Sequence, residues 1–197
     1  MMRKRFIVLG TLCLSMILLC GGPTPATAGP VKLTYSNFFP PSHIQSQLAE
    51  SWCREVESRT NGAVKIDYYP GQTLTKANQA YDGVVQGISD IGFSVFAYTR
   101  GRFPVMAAID LPLGYTSGRA ATEVINRVYE KYRPKELDDT QVMYLHAHGP
   151  GLIHTKDKAV RKMEDIKGLK FRAHGTSALV IRSLGGTPVS KPMPETY

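Results

Sequence analysis

The chain has 197 residues, 43% of them hydrophobic, and a formal net charge of +8. Its basic residues form no runs and are not interleaved with aromatics, which argues against a nucleic-acid partner. Three scattered cysteines argue against a disulfide framework.

The chain opens with a basic stretch carrying Arg3, Lys4 and Arg5, then the uncharged apolar run Phe6–Cys20 of 15 residues. Pro23-Thr24-Pro25 and the A-x-A site Ala26-Thr27-Ala28 follow. This order marks residues 1–28 as a cleaved secretory signal peptide. The run is short for a bilayer, which needs ~20 residues. No other stretch is long and apolar enough to span, so stable membrane insertion is not expected and the periplasm is the implied compartment. A lipoprotein anchor at Cys20 is the minor alternative, disfavoured by Leu19 where a small residue is usual. Cleavage removes three positive charges, Cys13 and Cys20. Cys53 is left alone beside Trp52 and reads as a small buried side chain.

Beyond the signal, strand and helix patterns alternate, which predicts an α/β layered fold. Val31–Ser36 alternates as a first strand. Ile44, Leu48, Trp52 and Val56 form one stripe of a helix from about His43 to Arg59, with Ser42 as its N-cap and Asn61-Gly62 as its stop. Val64–Tyr69 is a second strand, ended by Pro70-Gly71. Lys76–Gln86 has helical spacing. Ile88–Tyr98 is apolar enough for a central parallel strand. A proline-marked crossover leads to a helix starting at Ser117, with Ala121, Ile125, Val128, Tyr129 and Tyr132 on its stripe. Gln141–His146 and Leu152–Thr155 read as strands around the bend Gly149-Pro150-Gly151. Lys170–Ala173 is a strand, Thr176–Leu184 a helix, and Pro188–Ser190 the start of another strand.

The strand Gly168–Ala173 carries Arg172 near its end, opposite a helix N-terminus. A guanidinium fork offers two parallel charge-assisted hydrogen bonds, and free helix N–H groups add positive potential. The pair reads as a carboxylate trap; the plain alternative is a surface ion pair. Ligands of α/β sheets sit outside the carboxyl ends of strands. Asn37, Phe38 and His43 after the first strand, and Ser94, Phe96 and Tyr98 after the third, are therefore candidate cleft residues. Ordinary loop or core packing is the alternative for each. Pro150 and Gly151 lie at a bend that lets backbone approach a ligand, or that simply crosses between lobes. His146, His148, His154 and His174 lack the clustering and the partner residues of zinc sites, so neither a metal nor another cofactor is expected. Neither Gly87-Ile88-Ser89-Asp90-Ile91-Gly92 nor Gly175-Thr176-Ser177-Ala178 is a serine-hydrolase elbow, so no catalytic residue is assigned.

Five segments carry a resemblance when taken in order. They are Glu57–Ile66 with Tyr69–Leu74, Val84–Ile91, Asp110–Leu113, Met163–Arg172, and Leu184–Val189 with Met193–Tyr197. Together they resemble the extracytoplasmic solute-binding subunit of TRAP transporters, of the dicarboxylate-binding (DctP) type. The resemblance implies a two-lobe, periplasmic-binding-protein-like α/β architecture that closes over a ligand, with no chemistry done on it. It implies that Arg172 binds the ligand's carboxylate. It also implies partners: a small organic acid and integral membrane TRAP permease subunits. A longer chain is implied too, so residues 29–145 are expected to hold most of the first lobe and 146–197 the incomplete start of the second. Sialic-acid-binding relatives carry a second arginine where this chain has Leu152, which points to a monocarboxylate with a neutral or apolar body. A periplasmic sensor subunit is the runner-up reading, and an exported hydrolase a more distant one.

Overall fold

The computed structural model describes residues 29–196. The predicted signal segment, residues 1–28, lies outside them. Three parallel strands form the first sheet, in the order β2-β1-β3. Strand β1 (Val31–Ser36) runs beside β2 (Val64–Tyr69) in a register from Val31↔Val64 to Ser36↔Tyr69. On its other edge β1 meets β3 (Ile91–Gly92) only at Tyr35↔Ile91 and Ser36↔Gly92.

Helix α1 (Ile44–Arg59) makes the crossover from β1 to β2. Its N-cap is His43, not the predicted Ser42: His43 Nδ1 accepts from Gln45 N at 3.2 Å while the ring stacks on Phe39 at 4.1 Å. The tight turn at Pro40, closed by His43 N donating to its carbonyl, brings His43 to that position. The buried face also departs from expectation. Ile44 and Leu48 are 69% and 60% exposed, and Ser46, Ala49 and Cys53 are buried instead. Bulk on the sheet side is the reason. Tyr35 and Tyr68 from the sheet and Trp52 from the helix itself fill that space edge to face, so the remaining inward positions of the helix hold small groups. Ser46 Oγ lies 2.7 Å from Tyr68 Oη. Burial pushes the Cys53 thiol up to about 11, which fits the expected inert core cysteine.

A short helix, α2 (Ala80–Val85), leads into β3. The predicted strand Ile88–Tyr98 is mostly absent. After Phe93 N donates to Ser36 O, the chain turns into a 3-10 helix at Phe96–Tyr98. Helix α3 (Gly118–Tyr132) begins where expected, with Ser117 Oγ accepting from Ala120 N at 3.1 Å. Its Ala121 and Ile125 are buried, whereas Tyr132 is exposed.

Gln141–His146 and Leu152–Thr155 are not strands. The first is held by α3 side chains: Asn126 Nδ2 donates to Leu145 O at 3.0 Å, and Ala147 N donates to Thr122 Oγ1 at 3.0 Å. Alternation there supplies a strand pattern, but the segment pairs with no strand among the described residues. A second parallel pair, β4 (Lys170–Arg172) and β5 (Thr187–Val189), is linked by α4 (Gly175–Ser183). Pro188 is tolerated in β5 because this strand lies at a sheet edge.

Two apolar cores result. One gathers Tyr35, Phe38, Ala49, Cys53, Ala77 and Phe93 between the first sheet and α1. The other gathers Tyr81, Phe103, Met106, Ile125 and Leu137. The Arg102 guanidinium pins the second one, with ion pairs to Asp82 at 2.8 Å and Asp139 at 2.7 Å over the Tyr81 ring.

Candidate functional site

The β1–α1 loop and the β2–α2 loop leave the sheet at the same end because β1 and β2 are parallel. Asn37 locks them together. Its N–H donates to Tyr69 O at 2.9 Å and its carbonyl accepts from Gln72 N at 3.3 Å. Its side-chain Oδ1 accepts from Phe39 N at 3.0 Å. Asn37 is fully buried, and its Nδ2 has no hydrogen-bond partner among the described residues. A cleft of about 580 Å³ opens at this end, lined by Phe38, Pro40, Ser42, His43, Gly71, Gln72, Met193 and Pro194.

One side of the cleft is the Phe38 ring, backed by other rings of the first core. Phe38 packs on Phe39 at 4.4 Å, Phe93 at 5.5 Å and Tyr98 at 5.5 Å. Tyr98 then joins this wall to β4. Its Oη accepts from Arg172 Nη2 at 3.3 Å and from Met193 N at 3.1 Å. Arg172 Nε donates to Lys191 O at 2.9 Å. The guanidinium is exposed, and three of its five N–H groups have no acceptor among the described residues. Arg172 does not itself line the cleft, but Tyr98, its partner, is touched by Phe38 and Met193, which do.

Arg172 stands close enough to the N-cap of α4 for its charge to act on His174, but its hydrogen bonds go elsewhere. The guanidinium turns to Tyr98 and Lys191, while Gly175 at the start of α4 lies against Ala97 and the Asp110 carboxylate. A Cβ on Gly175, whose φ is +55°, would meet Ala97 Cβ at 2.9 Å. Burial raises the Asp110 carboxyl above its ordinary value, against a lowering by His148. His174 caps α4 from extended backbone and sets its ring edge-on to Tyr98 at 4.7 Å. Burial above all, with help from the positive Arg172 and from His148, lowers its imidazole to about 4. His174 is therefore neutral near pH 7.

The sequence candidates thus divide. Phe38, Tyr98 and Arg172 are linked by direct contacts, Asn37 joins them through Phe39, and His43 lines the neighbouring cleft. Ser94 is half-buried, and its Oγ has no partner among the described residues. Phe96 packs on Phe103 at 4.8 Å, against the second core, because the 3-10 turn rotates it there. Pro150 and Gly151 are exposed, and a Cβ on Gly151 would meet nothing within 4 Å. Gln72 and Met193 were not expected. A parallel β1–β2 pair predicts that Gly71-Gln72 shares a rim with Phe38, so that signal was present. Among the described residues, no three metal-ligating side chains come together. No described helix is long and apolar enough to cross a membrane.

Residues 35–197 match the family described as bacterial extracellular solute-binding protein, family 7. The chain belongs to this family. Solved structures similar to this solute-binding chain include a TRAP periplasmic solute-binding protein from Desulfovibrio salexigens. It is 42% identical over 85% of this chain and 52% of its own, with a TM-score of 0.71. A Rhodoferax ferrireducens TRAP solute-binding protein in complex with benzoate is 32% identical over 83% and 52%, with a TM-score of 0.78. A Bordetella bronchiseptica TRAP periplasmic solute-binding protein with bound (R)- and (S)-mandelate is 32% identical over 85% and 54%, with a TM-score of 0.77. The chain spans about half the length of the curated relatives it matches, 47% and 46% for two of them. These likenesses bear out the resemblance and the periplasmic-binding-protein-like α/β architecture, matched over about half of each structure.

Proposed function

We propose that this protein captures a small organic acid anion in the periplasm and hands it to a TRAP-type membrane transporter, without acting on it chemically. One observation carries the reading. Among the described residues, three guanidinium N–H groups of Arg172, at the carboxyl end of β4, meet no acceptor beside Tyr98, whose ring packs on the Phe38 that lines the cleft. A free guanidinium binds a carboxylate by charge-assisted hydrogen bonds, and ring faces and edges suit an apolar body.

The ligand class is an aromatic or otherwise apolar monocarboxylate. The ring cluster Phe38, Phe39, Phe93 and Tyr98 supports this, as does the benzoate and mandelate held by two relatives at 32% identity. Asn37, with its unpartnered Nδ2, is assigned as a polar contact, and Phe38 as part of the wall. Ser94, Phe96, Pro150 and Gly151 are weaker contacts in this reading, since none of them joins the Arg172–Tyr98 group. Export by the 1–28 signal and a division into lobes at about residue 145 belong to the same proposal, as do two permease subunits as partners.

Titration calorimetry of the secreted protein with benzoate and mandelate tests it. Binding of at least one acid is expected, and Arg172→Ala should weaken it by about 10- to 100-fold. That is the ~1.5–3 kcal/mol of a hydrogen bond to a charged group. Because Arg172 is exposed here, the larger penalty of a buried ion pair is not expected. Equal affinity in the variant would remove Arg172 from the site.

A further inference from the structure

We propose that the Tyr98 phenol is a second donor to the ligand's carboxylate, beside Arg172, an assignment that rests on the reading of this site as an organic-acid site.

Donor and acceptor accounting leads there. A phenol has one O–H and accepts through its oxygen. Tyr98 Oη already accepts twice, from Arg172 Nη2 at 3.3 Å and from Met193 N at 3.1 Å. Its own proton has no acceptor among the described residues. Two donors on the oxygen, one of them charged, polarise the O–H and make it a stronger donor. Its unmet partner is thus an acceptor, and the neighbouring guanidinium makes a negative one the best fit.

The position is fixed in advance. The Tyr98 ring is held edge-on by His174 at 4.7 Å and packs tilted against Phe38 at 5.5 Å. Neutral His174 adds no competing charge near pH 7. Arg172 Nη2 and Tyr98 Oη stand 3.3 Å apart, a spacing the two oxygens of one carboxylate can bridge. One oxygen then takes a guanidinium N–H and the other the phenol O–H. The Nε–H of Arg172 is spent on Lys191 O, so the guanidinium serves the ligand through its terminal nitrogens. Two different donors, one of them uncharged, would favour a flat carboxylate over a phosphate or a sulfonate of the same charge.

Tyr98→Phe removes only the hydroxyl and keeps the ring. In protein secreted from its native gene, benzoate affinity by calorimetry should fall about tenfold. The same substitution in an Arg172→Lys background separates contact from positioning. If Tyr98 touches the carboxylate, affinity falls again by a similar factor. If Tyr98 only orients Arg172, the second substitution changes nothing, and the proposal is overturned. A second readout does not depend on the variants folding. In wild-type protein labelled with 3-fluorotyrosine, benzoate should shift one of the tyrosine fluorine resonances strongly, and a spectrum unmoved by benzoate would overturn the assignment. Wild-type protein that binds neither benzoate nor mandelate would defeat the organic-acid reading and this proposal with it. Wild-type binding with an unchanged Tyr98→Phe affinity defeats this proposal alone.

Discussion

His174 shows how one side chain can tie the site to stability. In the folded protein its imidazole titrates near 4, against 6.5 for the free group, because burial and the adjacent Arg172 disfavour the imidazolium. Between those values the unfolded chain binds more protons, so stability falls as pH drops through the window from about 6.5 to 4. Above 6.5 this group contributes no slope. The buried Asp110 carboxyl is raised, so its contribution runs the other way and partly offsets the loss. His174→Gln should therefore be compared with wild type at each pH. The wild type is expected to lose about 2–3 kcal/mol more than the variant between pH 7 and 4. Urea midpoints that track each other across the range would show that His174 is protonated freely in the fold.

At the scale of elements, β1, α1, β2 and the α3 cap were legible because local rules decide them. Alternation fixed the strands, Asn61-Gly62 stopped α1 with φ of 49° and 77°, and Ser117 capped α3. Arg172 at its strand end was legible for the same reason, with the family motif around it. What failed needed partners that lie far away in sequence. The stripe Ile44–Leu48 was apolar but lost its place to ring packing from the sheet. Ile88–Tyr98 was apolar enough for a strand, yet β3 stops at Gly92. Gly92 explains where it stops. A Cβ there would meet Val84 Cγ2 at 2.7 Å and the Ala80 carbonyl oxygen at 2.9 Å, so α2 lies directly on the strand. The backbone oxygen cannot swing away as a side-chain tip could. Gly92→Ala should cost about 1–3 kcal/mol in urea unfolding, a typical overpacking penalty. A cost near zero would mean that α2 lifts easily from β3. Tyr98 was a weak candidate because its value comes from Met193 and Arg172, 95 and 74 residues away.

At the scale of the whole molecule, the two sheets are unequally supported. Strand β1 is paired on both edges, and its Tyr35 and Ser36 are buried in a core shared with α1. The β4–β5 pair has no such backing. Lys170, Arg172, Thr187 and Val189 are exposed, and α4 buries only Ile181. Its ties to the rest include the Gly175–Ala97 contact and the hydrogen bonds around Tyr98. Segments with few buried apolar contacts open before the whole chain unfolds. Native-state hydrogen exchange should show this as two classes of amide. Amides of residues 33–36 and 66–69 should exchange only through global unfolding, with a steep denaturant dependence. Those of residues 170–172 and 187–189 should exchange through a smaller opening, with lower protection and a shallow dependence. Benzoate should raise the protection of the second class most, because the ligand is read as bridging Arg172 and Tyr98 across the weak junction. Equal protection and equal slopes in both sheets would mean that they open together. Arg172 would then sit on a scaffold as rigid as the first core, and ligand binding would have no loose element to order.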